Sequence, residues 1–415
     1  MRVLLLNTTA QRGGAAIAAS RLMKALQSNG VQTAMMVSRG QEAGPDVIRP
    51  VGKIRCQSAF LKERWEIFKS NGYSRKNLFA VDTASTGVDI TGHPTFKEAD
   101  IVHLHWINQG FVSLRVLEKI LQSDKPVVWT LHDMWPFTGI CHYAGDCTRY
   151  RSCCDECPQL LRPTFQDISW RTFEQKRKLF DKYSVHFVAV SSWLAQQAKD
   201  SQLLCHQPIS VIPNVLPLQQ FSIRDSKSSR MKLHLPSDKI ILVFGAVKIE
   251  DPRKGLVYMN RAIRLLIEQG KVKRDQLHVA LFGGIKDAAV LEEIPVEYTH
   301  FGFMEVEELS CLYSASDVAV IPSMYETFGQ TVIEAQACGC IPVTFTGSGQ
   351  MDIIQHKLNG YLAEQRSVED LAAGILWGIH HPAEPATLRE SVLKRYSEEI
   401  VSKQYIDLYN QLSNP

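Results

Sequence analysis

The chain has 415 residues, too many for one ordinary domain, so two domains of about 200 residues each are expected. Hydrophobic residues make up 45% and charged residues 21%, which is typical of a globular protein with buried cores. The 46 basic residues nearly balance the 43 acidic ones, and this net charge of +3 gives no reason to expect nucleic acid as a partner.

The first residues predict a buried strand that leads directly into Gly13 and Gly14. This apolar start is too short for a signal peptide. No later segment reaches the run of about 18 apolar residues needed to span a bilayer. We therefore interpret the protein as cytoplasmic.

The N-terminal half alternates short apolar runs with amphipathic stretches, a pattern that predicts parallel strands joined by helices. A polar stretch after Val215 favours a domain boundary, so residues 1–214 are predicted to form an acceptor-side Rossmann-like domain. Its predicted strands are Val3–Leu6, Thr33–Val37, Ile101–Leu104, Val127–Leu131, Phe187–Val190 and Ser210–Ile212, with helices such as Ala15–Ser28 and Leu114–Gln122 between them.

The stretch from Lys53 to Lys76 contains seven basic residues and two acids, with Phe60, Trp65 and Phe68 among them. A basic and aromatic stretch can form a patch for peripheral membrane association. It can equally be a solvated helix face whose aromatic residues lie in the core, and both interpretations remain open.

Two predicted strands of this half end in polar side chains. The first ends in His103, His105 and Trp106, and the second in His132 and Asp133. Since the carboxyl ends of parallel strands meet at one edge of a sheet, these groups are expected near a ligand. His103 is interpreted as a core histidine.

A loop at residues 139–160 contains half of the ten cysteines. Closely spaced thiols of this kind, ending in Cys-x2-Cys, are typical of a closed tetrahedral zinc site with a structural role. Two disulfides or reduced thiols are the alternatives, and a zinc knuckle for RNA lacks a basic and aromatic surface. The predicted metal ligands are Cys141, Cys147, Cys154 and Cys157, with Cys153 and His142 as the alternative ligands.

The alternating pattern restarts in the second half, so residues 215–395 are predicted to form a nucleotide-sugar-binding Rossmann-like domain. Residues 396–415 are predicted to be a C-terminal helix that packs back on the first domain. The predicted strands are Ile240–Phe244, Val279–Phe282, Val318–Ile321 and Ile341–Thr344, and the helices include Gly255–Gln269 and Val306–Ala315.

The most informative segment runs from Ile321 to Gly339. A buried strand is followed by a loop with Glu326, and then by a helix that starts near Gly329 and carries Glu334. The free N–H groups and the positive dipole at a helix start suit a diphosphate, with no metal required. The two carboxylates are then placed to bind different parts of one long ligand.

These residues resemble the signature of retaining glycosyltransferase family 4, in which two glutamates stand eight positions apart around Phe-Gly. The resemblance implies the GT-B fold, with two doubly wound Rossmann-like domains facing across a cleft. It also implies that Glu326 binds the donor sugar and Glu334 the ribose. Lys254 matches the family's phosphate-binding lysine, and Arg253 is the candidate for the family arginine, because Ala246 stands in that arginine's place.

The resemblance also implies that a histidine, here His132, contacts the donor sugar near the reacting carbon. The catalytic residues it implies are His132, Lys254 and Glu326. The donor-binding residues it implies are Gly14, Arg253, Lys254, Phe303, Glu326, Phe328, Gly329, Gln330, Thr331 and Glu334.

The motifs at residues 83–89, at His105-Trp106 and at residues 129–139 resemble bacterial exopolysaccharide glycosyltransferases of the colanic-acid type. This implies transfer of a sugar from a nucleoside-diphosphate sugar to a glycan or lipid-linked glycan acceptor, in the synthesis of cell-surface polysaccharide such as capsule. No cofactor is expected for catalysis. A sugar-nucleotide epimerase or hydrolase, and a non-catalytic glycan-binding scaffold, are the alternatives.

Overall fold

The computed structural model describes residues 1–11, 13–40, 44–382 and 384–413. The chain forms two compact units, one of Met1–Val215 with Val401–Pro415 and one of Leu216–Ile400. Each unit contains one parallel sheet with helices around it, which confirms the predicted α/β class with two doubly wound domains. In the described ranges, no helix is both long and apolar enough to cross a membrane.

The sheet of the first unit has seven strands in the order β3-β2-β1-β4-β5-β6-β7. The strands are β1 (Arg2–Leu6), β2 (Gln32–Met36), β3 (Val47–Ile48), β4 (Ile101–Leu104), β5 (Val127–Leu131), β6 (His186–Ala189) and β7 (Ile209–Val211). The helices are α1 (Gly14–Ser28), α2 (Lys53–Ser70), α3 (Pro94–Glu98), α4 (Leu114–Leu121), α5 (Ile168–Lys182) and α6 (Ser192–Lys199).

The sheet of the second unit has six strands in the order β10-β9-β8-β11-β12-β13. The strands are β8 (Ile240–Lys248), β9 (Leu277–Gly284), β10 (Glu297–His300), β11 (Val318–Ile321), β12 (Ile341–Phe345) and β13 (Tyr361–Ala363). The helices of this unit are α7 (Ser226–Lys232), α8 (Leu256–Glu268), α9 (Ala289–Glu292), α10 (Val306–Ala315), α11 (Gln330–Ala337), α12 (Val368–His380) and α13 (Pro385–Tyr396). The last helix, α14 (Glu398–Ser413), begins in this unit and lies mostly in the first.

The central strands are buried along their whole length, because helices cover both faces of a parallel sheet. Every residue of β4, β5, β11 and β12 is buried. Continuous apolar runs of this kind are what the sequence shows at these positions, and all ten strands predicted from them are present. The short strands β3, β10 and β13 lie at the edges of their sheets and were not predicted, since they lack such a run.

Most of helix α14 belongs to the first unit, although its chain arrives from the second. Tyr405 and Tyr409 are both buried in the core of the first unit. The Tyr409 hydroxyl lies 2.7 Å from His103 Nδ1, and the Tyr405 hydroxyl lies 2.9 Å from Thr130 Oγ1. His103 Nε2 lies 2.8 Å from the same Thr130 oxygen, so both ring nitrogens of this buried histidine have partners. The interpretation of His103 as a core residue is confirmed.

Replacing Tyr409 by Phe is expected to destabilise the first unit by about 1–3 kcal/mol, because it leaves a buried nitrogen of His103 without a partner. The measurement is the free energy of unfolding in urea. Tyr183→Phe is the matched control: its hydroxyl accepts a solvent-exposed bond from Gln122, and the expected change is under about 0.5 kcal/mol. Equal effects of the two substitutions would contradict this account of α14.

Candidate active site

In the second unit, the candidate site lies where strand β11 ends and helix α11 begins. Gly329 caps the helix with φ of 113°, a left-handed conformation that favours glycine. The first turn of α11 carries no acidic residue, so its positive dipole end is not neutralised from within the helix. Glu326 lies in the loop before the cap, and Glu334 lies within the helix and is buried. The local structure is therefore the strand, loop and helix start that the sequence predicts.

A second loop, at residues 249–255, contacts this one. The Lys254 ammonium lies 2.5 Å from Glu326 Oε1 in a partly buried ion pair. Gly255 allows the approach: its φ is 78°, and a Cβ there would lie 2.1 Å from the carbonyl oxygen of Pro322. Two residues that are far apart in the sequence are thus brought into direct contact.

One backbone hydrogen bond joins the two loops, and a second ties the Glu326 loop to the segment after β12. The N–H of Met324 donates to the carbonyl of Arg253 over 2.7 Å, and the N–H of Gly349 donates to the carbonyl of Glu326 over 2.7 Å. The Arg253 guanidinium is exposed and is held by Asp251, with a shortest distance of 2.6 Å. Arg253 therefore lies beside Lys254 in a fixed loop, whereas its predicted phosphate contact is untested.

The two predicted phenylalanines differ in exposure. Phe303 is 75% exposed on the loop after β10. Phe328 is only 2% exposed and packs edge-on against Tyr396, with ring centroids 5.5 Å apart. Its side chain is a core group, so a ligand contact of Phe328 would go through its backbone.

In the first unit, polar side chains follow β4 and β5, which are neighbours in the sheet. His105 Nδ1 lies 2.9 Å from His132 Nε2, and the two rings stack. Burial lowers the pKa of His132 to about 4, so its imidazole is neutral near pH 7. Nε2 of His105 is buried and has no hydrogen-bond partner within the described residues. The predicted residue His132 is therefore held by a histidine that the sequence placed at the same sheet edge.

Beside His132, the next residue anchors a buried ionic network that the sequence did not reveal. The His142 ring bridges two carboxylates, with Nδ1 2.7 Å from Asp133 Oδ2 and Nε2 2.7 Å from Asp82 Oδ2. Burial alone lowers the pKa of His142, but the carboxylates of Asp133 and Asp82 outweigh it and raise that pKa to about 10. Trp106 Nε1 also donates to Asp133 over 2.7 Å. The residue adjoining His132 is thus held from two sides.

The network continues to helix α2. The Arg64 guanidinium pairs with Asp82 and lies 3.4 Å from Glu63 Oε2. Burial, and then the nearby Asp82 carboxylate, raise the pKa of Glu63 to about 8, and Arg64 opposes this rise. Glu63 Oε1 also accepts from the N–H of Ala84 over 2.6 Å. Helix α2 is therefore fixed to the first unit by ionic contacts as well as by packing.

Gly14 is the first residue of α1 and follows Gly13, which caps the helix with φ of 92°. The helix therefore begins at the predicted glycine pair, after strand β1. The predicted contact of Gly14 with the diphosphate stays a prediction.

The zinc site predicted for the cysteine-rich loop is not supported. Cys141, Cys147, Cys154 and Cys157 line one small cavity, yet no three or more histidine, cysteine or acidic side chains in the described ranges are placed to hold a metal ion. All ten cysteines of the sequence are described and free, so the predicted disulfide alternative is absent too. Burial raises the pKa of Cys141, Cys154 and Cys157 to about 12, which keeps these thiols neutral.

Protein groups hold the cysteine-rich loop. The fully buried Lys176 ammonium donates to the carbonyls of Trp135, Thr138 and Gly139 over 2.6, 3.0 and 3.2 Å. It also lies 3.4 Å from the centroid of the Trp135 ring. At the other end of the loop, Asp167 accepts from the N–H of Cys157. A lysine from α5 thus holds the loop for which the cysteine spacing predicts a metal.

Comparisons with known proteins agree with this fold. The model of Glycosyltransferase Family 4 matches residues 12–220, just over half of the chain, and the model of glycosyl transferases group 1 matches residues 225–395. An uncharacterized glycosyltransferase of Methanocaldococcus jannaschii is 25% identical over 368 residues, which are 80% of this chain and 90% of that protein. A protein of Escherichia coli named as a colanic acid biosynthesis glycosyl transferase is 26% identical over 193 residues, 43% of this chain and 45% of its own.

This chain covers a smaller share of other relatives than the 90% found for the Methanocaldococcus jannaschii protein. The chain spans between 39% and 64% of the length of the D-inositol 3-phosphate glycosyltransferases that it matches.

Two solved structures share the fold over the whole chain. Sucrose-phosphate synthase from Thermosynechococcus elongatus has a TM-score of 0.68 at 19% identity, covering 99% of this chain and 98% of that one. The HepE protein of Anabaena, in complex with UDP and glucose, has a TM-score of 0.65 at 14% identity, covering 99% and 100%. Because the family model covers just over half of the sequence and the GT-B neighbours match both units, this chain belongs to glycosyltransferase family 4 and is a glycosyltransferase.

Proposed function

We propose that the protein catalyses a retaining, metal-independent transfer of a sugar from a nucleoside-diphosphate sugar to a glycan or lipid-linked glycan acceptor. The Lys254–Glu326 ion pair beside the start of α11 carries this proposal. A phosphate needs a cation and a sugar needs a hydrogen-bonding carboxylate, and one donor molecule contains both groups. The ion pair supplies these two partners within one contact.

The diphosphate would bind at the helix start. Backbone N–H groups of Gly329, Gln330 and Thr331, together with the positive end of the helix dipole, suit an anion. Lys254 and Arg253 lie on the adjoining loop and add full positive charges. These groups stabilise the negative charge that develops when the nucleoside diphosphate leaves, which is why we expect no metal to be required.

The sugar and the ribose would bind the two glutamates, as the family resemblance implies. Glu326 alone would repel a neighbouring diphosphate, but the Lys254 ammonium offsets its charge at 2.5 Å. Glu334 is buried within α11. A carboxylate in such a packed position is suited to selecting ribose hydroxyls. The exposed Phe303 loop would contact the base.

On the first unit, we propose that His132 contacts the donor sugar and that the Gly14 loop contacts the diphosphate. His132 is neutral near pH 7 because burial lowers its pKa to about 4. A neutral imidazole can exchange hydrogen bonds with sugar hydroxyls without adding charge. Support from His105 on one side keeps the ring in one orientation.

In the reaction, the bond between the anomeric carbon and the diphosphate oxygen breaks, and a bond from that carbon to the acceptor oxygen forms. The acceptor proton passes to the departing diphosphate. Among the residues that the structure describes, no carboxylate is an evident nucleophile for a double displacement. Attack from the face that the leaving group vacates is therefore the proposed route to retention.

We propose that the acceptor belongs to cell-surface polysaccharide synthesis, such as that of exopolysaccharide or capsule, in the cytoplasm at the inner face of the plasma membrane. The support is the similarity to the colanic acid protein of Escherichia coli. The donor base stays open, since one neighbour is named as a complex with UDP and another as a complex with ADP. The following two experiments test donor binding and turnover separately.

Thermal unfolding with UDP, GDP and ADP tests the donor site. One nucleoside diphosphate at about a hundred times its Kd is expected to raise the unfolding temperature by on the order of 5 °C. Glu334→Gln is expected to remove most of this rise, because it removes the charge proposed to hold the ribose. Glu268→Gln, at the exposed end of α8, is the control and should keep it. A rise of equal size in both variants, or none in the parent, would contradict the proposed site.

Turnover of the donor that binds tests the ion pair. Lys254→Ala is expected to lower kcat by on the order of a hundredfold, because one charged donor to the leaving group is lost. Lys271→Ala, an exposed lysine just beyond α8, should keep the parent rate. Near-normal rates in Lys254→Ala would refute the assignment. Release of free sugar at full speed without an acceptor would instead favour the hydrolase alternative.

A further inference from the structure

The outward face of helix α2 is apolar where a surface helix normally is polar. At 3.6 residues per turn, Ile54, Leu61, Trp65 and Phe68 fall within a sector of about 60°. Ile54 is 83% exposed and Trp65 is 59% exposed. The opposite side of the helix is buried in the first unit, with Cys56, Ala59, Glu63 and Ile67 among its buried residues. Helix α2 therefore has apolar groups on both its inner and its outer side.

A basic stripe runs along this outward face. Arg55, Lys62 and Lys69 stand seven residues apart, each one position after an apolar residue of the stripe. All three are exposed, and none forms an ion pair within the part of the chain that the structure describes. The only exposed acid of the helix, Glu66, accepts a hydrogen bond from Ser85. The face thus combines exposed apolar side chains with three positive charges that outnumber the one exposed carboxylate of the helix.

Segments next to α2 extend the apolar area. Tyr73, just after the helix, packs edge-on against Phe68, with ring centroids 5.7 Å apart. Asn71 accepts from the N–H of Leu161 over 2.6 Å, so the exposed Leu161 lies next to the end of the helix. Five of the nineteen exposed large hydrophobic residues of the described chain belong to this region, namely Ile54, Leu61, Trp65, Tyr73 and Leu161.

The helix cannot rotate to bury its outward stripe. Arg64 donates to the carbonyls of Leu78 and Val81 and pairs with Asp82, all on the inner side. Glu63 accepts from backbone N–H groups on the same side. These buried ionic contacts fix the rotation of α2, so the apolar stripe stays outside.

We propose that this outward face of α2 docks the protein on an anionic lipid bilayer. Tryptophan and tyrosine prefer the boundary between lipid headgroups and acyl chains, and lysine and arginine bind anionic headgroups. A protein partner is a poorer fit, because lysine is depleted at protein interfaces whereas two lysines flank this stripe. The proposal rests on the membrane location in the proposed function and names the surface that meets the bilayer, and it holds whatever sugar is transferred.

The test is sedimentation of the full-length protein with vesicles of phosphatidylcholine alone and with vesicles that also contain phosphatidylglycerol. Binding to the anionic vesicles is expected to be on the order of tenfold stronger or more, because headgroup charge attracts the basic stripe. Added salt should weaken it by screening that attraction.

Two variants remove the two parts of the face. Trp65→Glu places a charge where the apolar stripe enters the headgroups and is expected to lower binding by on the order of tenfold or more. The double variant Lys62→Gln with Lys69→Gln should lower binding to anionic vesicles by a similar factor and reduce its salt dependence. These side chains are exposed, so all variants should keep the parent unfolding temperature.

Matched controls carry the same chemical changes elsewhere. Met231→Glu changes an exposed apolar residue of α7, and Lys178→Gln changes an exposed lysine of α5. Both should bind vesicles as the parent does. Trp65→Glu should also keep the thermal response to nucleoside diphosphates, so a failure of this proposal and a failure of the donor site are distinguishable.

Three results would overturn the proposal. One is no sedimentation with either kind of vesicle. Another is parent-like vesicle binding by Trp65→Glu. The third is self-association in analytical ultracentrifugation that Trp65→Glu abolishes, without any vesicle binding, which would make this face an interface between copies of the chain.

Discussion

Parallel pairing of the strands is the constraint on which the candidate site depends. Each strand of a parallel sheet must be followed by a crossover, so the chain leaves every strand at the same edge. In the second unit this brings the loop after β8, with Lys254, to the loop after the adjacent β11, with Glu326. In the first unit it brings His105, after β4, to His132, after β5. Apart from His103 in β4 and Thr130 in β5, which bond to α14 and to each other, the interiors of these strands are apolar, so the groups that a ligand could reach lie at the strand ends.

Each unit stabilises its strand ends with opposite charges that meet across loops. In the second unit Lys254 and Glu326 form a partly open pair, which a polar ligand can still reach. In the first unit His142 lies between Asp82 and Asp133 and is almost fully buried. A buried charge needs nearly complete pairing, so the His142 network of the first unit is suited to holding the backbone in place. The partly open Lys254–Glu326 pair of the second unit is suited to exchanging partners when a ligand binds.

Much of this could be predicted from the sequence, because it rests on local patterns. Continuous apolar runs indicate buried parallel strands, and the two glutamates around Phe328-Gly329 indicate the helix start. The network of His142 could not be predicted, because its bond to Asp82 joins residues 60 positions apart and no spacing links them. The zinc site predicted from the cysteines is not supported, for a related reason. Their spacing suggests a metal, whereas the loop is held by Lys176, from a helix whose pattern gives no sign of that contact.

The crossing of α14 between the two units has a consequence for synthesis of the protein on the ribosome. The first unit begins at Met1, yet two tyrosines of its core, Tyr405 and Tyr409, are translated only after the whole second unit. Domains generally fold in the order in which they emerge. Here the earlier unit must wait with an uncovered apolar surface while the later one is made. Its nascent form is therefore a natural client for chaperones that bind exposed apolar segments during translation.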